Sequence, residues 1–164
     1  MTAPDMLAFI PLAVITNTVF PMPFEPVLLW FAGRPEAGEG WILAGVGSVC
    51  AGVAAVVDAR IVGAIGWRWR DRKGLGRPLP RAGARFYLGA FLVALLPVPF
   101  ATVRLILLQV RPRLPLYAFT VASARLPRYI VTVQLWRSLA PPDWVAVTLV
   151  LAAIGYMLVA ARRP

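Results

Sequence analysis

The chain has no histidine, one cysteine and one lysine among its 164 residues. Without histidine there is no Ser-His-Asp triad, no HExxH zinc site, no histidine proton relay and no His-dependent intramembrane lipid phosphatase. A lone Cys50 forms no internal disulfide or multi-cysteine metal site, and within an apolar run it reads as a small packing residue. Acids are scarce too: seven Asp+Glu stand against seventeen Lys+Arg, for a net charge of +10. Charged residues make up only 15% of the chain, against about 25% in soluble domains. What is abundant is apolar: 60% of residues, with a mean hydropathy of +0.74. That excludes a disordered basic tail and argues against a water-soluble enzyme, leaving an integral membrane protein. The first fifteen residues carry Asp5 in place of a basic leader and lack an Ala-x-Ala site, so they are not read as a cleaved signal peptide.

Spanning a bilayer takes about 20 predominantly apolar residues. Five apolar stretches run 7–33, 41–66, 86–110, 114–136 and 144–161. The second, fourth and fifth are long enough to cross as helices. The first is interrupted by Thr16-Asn17-Thr18 and then by Phe20-Pro21-Met22-Pro23-Phe24-Glu25-Pro26, and the third by Pro97-Val98-Pro99-Phe100. Clustered prolines remove backbone donors and clash with the preceding turn, so no helix runs through them. Broken backbone at membrane depth survives only inside protein or along a cavity. Both stretches therefore read as re-entrant hairpins with Pro21, Pro23, Pro97 and Pro99 at the tips, the alternative being kinked spanning helices.

Charge placement favours the hairpins, because short cytoplasmic loops collect Lys and Arg. Segment 67–85 holds seven positive residues (Arg68, Arg70, Arg72, Lys73, Arg77, Arg81 and Arg85) and one acid, Asp71. A crossing at 86–110 leaves eight positive residues inside against five outside; a returning hairpin makes it eleven against two, Arg34 and Arg137. The loop 67–85 and the C-terminus are thus expected in the cytoplasm. Orientation and attraction to anionic lipid account for the basic loop, and nucleic acid is not expected as a partner.

The interrupted stretches resemble each other. Pro21-Met22-Pro23-Phe24 returns as Pro97-Val98-Pro99-Phe100, and Arg34-Pro35 as Arg111-Pro112. A hairpin followed by one span delivers the chain to the opposite face, so a second copy starts inverted, as in many transporters. The expected fold is an all-α integral membrane protein forming one membrane domain. It has two inverted repeats of re-entrant hairpin plus transmembrane helix (about 7–66 and 86–136) and an additional C-terminal transmembrane helix at 144–161.

Six charges fall inside the apolar stretches: Glu25, Asp58, Arg60, Arg104, Arg125 and Arg128. A charge at a helix centre costs roughly 2.5–3.5 kcal/mol on insertion scales, so each is a candidate site residue. Arg60, near a span end, reads as snorkelling to the interface. Arg104, Arg125 and Arg128 outweigh Glu25 and Asp58 by one charge, which suits an anion, and arginine's planar fork suits phosphate. Those arginines are the expected substrate-binding residues. Glu25 and Asp58 are the expected proton-coupling residues: phosphate arriving at Arg104 would screen it and let Glu25 take up a proton. The structural alternative pairs Glu25 with Arg104, and Asp58 with Arg125 or Arg128, simply to hold the hairpins together. No metal site, catalytic residue or cofactor is expected.

Pro21-Met22-Pro23-Phe24-Glu25-Pro26-Val27-Leu28-Leu29 with Ala32-Gly33 resembles the first hairpin of the DedA family, the VTT-domain or SNARE-associated Golgi proteins. The small-residue span Gly45 to Gly66 with Trp67-Arg68 looks like that family's glycine-rich helix. Leu96-Pro97-Val98-Pro99 with Arg104 resembles its second hairpin, and Phe119 to Tyr129 the helix that follows. Ala94-Leu95 stand where the family often has Gly-Arg, and Asp58 has no following tyrosine. The resemblance implies two opposed re-entrant hairpins in a bacterial inner membrane protein that moves polyprenyl phosphate or anionic phospholipid across the bilayer and supports the envelope. By that likeness Glu25 matches the hairpin acid and Arg104 the hairpin arginine. The rival readings are a non-transporting scaffold and an intramembrane lipid-phosphate enzyme. The enzyme is disfavoured by the missing histidine and the missing Asp-Gly-x-x-Ala-Arg signature. Small residues at 45–52 suit internal packing or a homo-oligomer interface equally.

Overall fold

The two interrupted stretches break into short helices, and the uninterrupted ones run long. In the computed structural model, which describes residues 3–18, 24–34, 40–72, 80–96 and 110–161, the helices are α1 (Ala3–Asn17), α2 (Glu25–Ala32), α3 (Gly40–Arg72), α4 (Ala84–Leu95), α5 (Leu114–Leu139) and α6 (Asp143–Ala161). The described residues include no strand, as the all-α expectation requires. Pro21, Pro23, Pro97, Pro99 and Arg104 lie outside the described residues.

One boundary differs from expectation. Helix α3 continues through Arg72 and α4 begins at Ala84, so both ends of the expected loop 67–85 are helical. No Gly or Pro interrupts Trp67 to Lys73, and nothing obliges a helix to stop where its apolar residues do.

The end of α1 is closed by its own side chains. Thr16 Oγ1 donates to the Leu12 carbonyl (2.7 Å), Asn17 Nδ2 to that of Ala13 (2.7 Å) and Thr18 Oγ1 to that of Ile15 (2.6 Å). These back-bonds give the polar side chains partners within the helix itself, as Ser, Thr and Asn at a helix end commonly do. After the break, α2 starts with Pro26 in its first turn, where a missing N–H is harmless. It then folds back on α1: the Phe9 ring lies 5.9 Å from that of Phe24 and 5.1 Å from that of Phe31.

The centre of the fold is the antiparallel pair α3 and α5. A Cβ on Gly40 would meet Val133, one on Gly47 would meet Phe24 and Tyr129, and one on Gly52 would lie 2.9 Å from the Ala118 carbonyl oxygen. Gly52 thus lets the two backbones approach closely. Two core clusters flank this pair. In one, Phe9, Phe24, Leu28 and Phe31 of the first hairpin pack on Leu43 and Ala44 of α3 and on Tyr129 and Val133 of α5. In the other, Ala90 of α4 packs on Ala51, Ala55 and Val62 of α3 and on Tyr117 and Val121 of α5. Helix α6 docks on α2.

The second interrupted stretch ends where it began. Arg81 and Arg111 form a parallel backbone bridge, with the Ala82 amide donating to the Arg111 carbonyl (3.0 Å) and the Arg111 amide to that of Pro80 (2.9 Å). Thus α4 and α5 start side by side, with Arg81, Arg85, Arg111 and Arg113 at one end of the molecule. Arg137, near Gly40, lies at the other end of the α3/α5 pair.

Small and large side chains divide between the two faces of the middle of α3. The buried face of α3 carries Ala44, Ser48, Ala51, Ala54, Ala55 and Asp58, while Val49, Val53, Val57, Ile61 and Ile65 point outward. The other helices likewise expose Leu7, Ile15, Leu88, Phe119, Leu135 and Leu151. One stretch among the described residues, Gly40–Gly66, is long and apolar enough to cross a membrane; Met6–Asn17 and Ala84–Leu95 are apolar but short.

Candidate functional site

The described ends of both interrupted stretches converge on the middle of α5. Phe24, the residue before α2, stacks obliquely on Tyr129 with ring centroids 5.0 Å apart. This places Glu25 opposite Arg128, the residue preceding Tyr129. Arg128 Nη2 donates to Glu25 Oε1 in an ion pair, while its Nη1 donates to the Leu96 carbonyl at 2.8 Å. One guanidinium fork therefore joins the N-terminus of α2 to the C-terminus of α4. Both ends suit it electrostatically, since the acid lies at the positive pole of α2 and the cation at the negative pole of α4.

Arg125, one turn earlier, serves the end of α1. Its Nη1 donates to Asn17 Oδ1 and to the Tyr129 hydroxyl (2.8 Å), and the Tyr129 hydroxyl in turn donates to Asn17 Oδ1 (3.2 Å). Asn17 and Tyr129 are buried. Pro127 sits between the two arginines inside α5, and the buried face of the helix shifts across it, from Tyr117, Val121 and Ala124 to Tyr129 and Val133. The arginines therefore sit where the two core clusters meet.

Of the expected site residues, the structure brings together Glu25, Arg125 and Arg128. Glu25 pairs with Arg128, because the packing of Phe24 against Tyr129 sets its position along α5; Arg104, its expected neighbour, lies outside the described residues. Asp58 is fully buried on the α3 face that carries Ala51, Ala55 and Val62. Arg60 is exposed. Cys50 is buried in the first core cluster.

Asn17, Tyr129 and the Leu96 carbonyl are members of the site that the sequence reading did not single out. Asn17 was signalled as the amide inside an apolar stretch just before the break, and Tyr129 by its position four residues after Arg125. The Leu96 carbonyl had no side-chain signal.

Chemically, the site offers two guanidinium groups against one carboxylate. The Arg128 and Glu25 side chains remain 19% and 28% exposed. Comparison with protein-family models, curated proteins and solved structures finds no match.

Proposed function

We propose that this chain is a multi-pass membrane protein of the DedA type that moves a phosphate-bearing lipid, a polyprenyl phosphate or an anionic phospholipid, across the bacterial inner membrane. The observation that carries the reading is Arg128, a partly exposed cation shared between the ends of two broken helices in a molecule whose outward face is apolar. The exposed Val49, Val53, Val57, Ile61 and Ile65 of α3 and the alanines on its buried face suit hydrocarbon as the solvent. At a 1.5 Å rise, the 12 residues of α4 reach about 18 Å, roughly half a bilayer. The bridge between Arg81 and Arg111 supports reading 86–110 as a hairpin that returns to the cytoplasmic face with the basic segment.

In this reading, phosphate replaces Glu25 at the fork of Arg128, and the displaced carboxylate takes up a proton. Arg125, held by Asn17 and Tyr129, supplies the second cation, Arg104 a third, and Asp58 a second proton site. The test is purified protein in vesicles containing a fluorescent polyprenyl phosphate or phosphatidylglycerol. Arg128→Gln and Glu25→Gln are expected to insert at wild-type levels and to slow lipid movement at least about tenfold; unchanged rates sink the proposal.

A scaffold reading has its own support, because Arg125 and Arg128 are both bonded to neighbouring protein groups. It requires that wild-type protein move no lipid and that both variants lose folding.

A further inference from the structure

A cavity lies at the end of the molecule away from Arg137. It has a volume of about 420 Å³ and is lined by Arg81, Ala82, Ala84, Tyr87, Arg113 and Leu116. The backbone builds it. The bridge between Arg81 and Arg111 holds the segments leading into α4 and α5 together, and the Arg113 amide donates to the Tyr87 hydroxyl at 2.8 Å. Two arginines therefore reach one cavity from separate segments. Neither α4 nor α5 carries an acid in its first turn, so no carboxylate there competes for them. Both helices begin at this cavity, adding the positive ends of their dipoles.

One flank of the cavity is apolar and open. Leu116 is 44% exposed and Phe119, three residues on, is 70% exposed, which makes a greasy strip along one face of α5. A cation pocket continuous with such a strip matches a molecule with an anionic head and a hydrocarbon tail. Arg113 and Arg125 are twelve residues apart, about 18 Å along α5, so this cavity is separate from the cluster at Arg125 and Arg128.

We propose that this cavity binds the phosphate group of an anionic lipid, with Arg81 and Arg113 on the phosphate and the acyl chains along Leu116 and Phe119. The proposal rests on the membrane part of the reading above and not on transport. A resident lipid here would anchor the base of the α4 excursion to the cytoplasmic leaflet.

The test uses full-length protein in phosphatidylcholine nanodiscs titrated with phosphatidylglycerol, with lipid retention read by native mass spectrometry. Wild type is expected to retain one phosphatidylglycerol in preference to phosphatidylcholine. Arg81→Gln/Arg113→Gln is expected to weaken retention about tenfold or more, and Arg34→Gln to leave it unchanged. Both replaced side chains lie outside the cores, and the bridge uses backbone groups, so the fold is retained. Resistance to millimolar inorganic phosphate supports a lipid source; displacement by phosphate supports the same phosphate chemistry with a soluble source. Equal retention in wild type and double variant, or no preference for phosphatidylglycerol in wild type, overturns the site. Failure of the protein to float with vesicles would instead overturn the membrane reading, while lipid retained without transport leaves this site standing.

Discussion

Asn17 does more at the end of α1 than close a turn. Its amide nitrogen satisfies the Ala13 carbonyl while its oxygen accepts from both Arg125 and Tyr129. Asn17→Leu, similar in volume, strands the buried Tyr129 hydroxyl and removes one acceptor of the half-buried Arg125, and is expected to destabilise the protein by about 1–3 kcal/mol. Asn17→Asp keeps the acceptor and adds a charge for Arg125, so its melting temperature in detergent should stay several degrees above that of the leucine variant. Equal melting of the two would mean that the oxygen contributes nothing. Arg128→Lys separates charge from shape at the neighbouring position. An ammonium on a single stem does not reproduce a fork that spans Glu25 and the Leu96 carbonyl, so the lysine variant should melt below wild type. The sequence made these arginines legible through their cost in an apolar stretch. It left their partners hidden, because the partner of Arg128 depends on how Phe24 seats against Tyr129, a contact between residues 105 positions apart.

At the scale of elements, the α3 and α5 backbones come closest at Gly52, where a side chain is missing. Gly52→Ala places a methyl 2.9 Å from the Ala118 carbonyl oxygen and 3.2 Å from the Ala122 Cβ. Backbone has little room to yield, so a loss of about 1–3 kcal/mol is expected in thermal or denaturant unfolding in micelles. Gly45→Ala, which meets nothing within 4 Å, is the control and should be close to neutral. At the other end of α5, Ala140 adopts φ 42°, a left-handed conformation that caps the helix before Pro141 and Pro142. Ala140→Gly relieves the Cβ clash there and should raise stability by about 1 kcal/mol, read by the same unfolding measurement. Helix starts and breaks were readable from proline and glycine, which act locally. The extension of α3 into 67–72 was not, since a helix with no breaker residue carries no mark of where it stops.

At the scale of the whole molecule, the bridge between Arg81 and Arg111 sets a sidedness test. In a Cys50→Ser background, Arg81→Cys and Arg111→Cys should react with a membrane-impermeant thiol reagent from the same face of right-side-out or inverted vesicles, and Arg34→Cys from the opposite face. Labelling of Arg81→Cys and Arg111→Cys from opposite faces would exclude a returning excursion between them. The apolar stretches and the small-residue face of α3 were legible because each is a property of consecutive residues. The meeting of two cores at Pro127 was not, because it arises from the shift of the buried face of α5 across that proline. The dependence of both cores on α5 also has a consequence in time. Asn17 and Glu25 find their arginines 108 and 103 residues later in the chain. At about 5–20 residues per second of synthesis, each waits roughly 5–20 s for its partner to leave the ribosome. Through that interval α1 and α2 exist without their closing contacts, and it is the late arrival of α5 that turns a series of helices into one folded body.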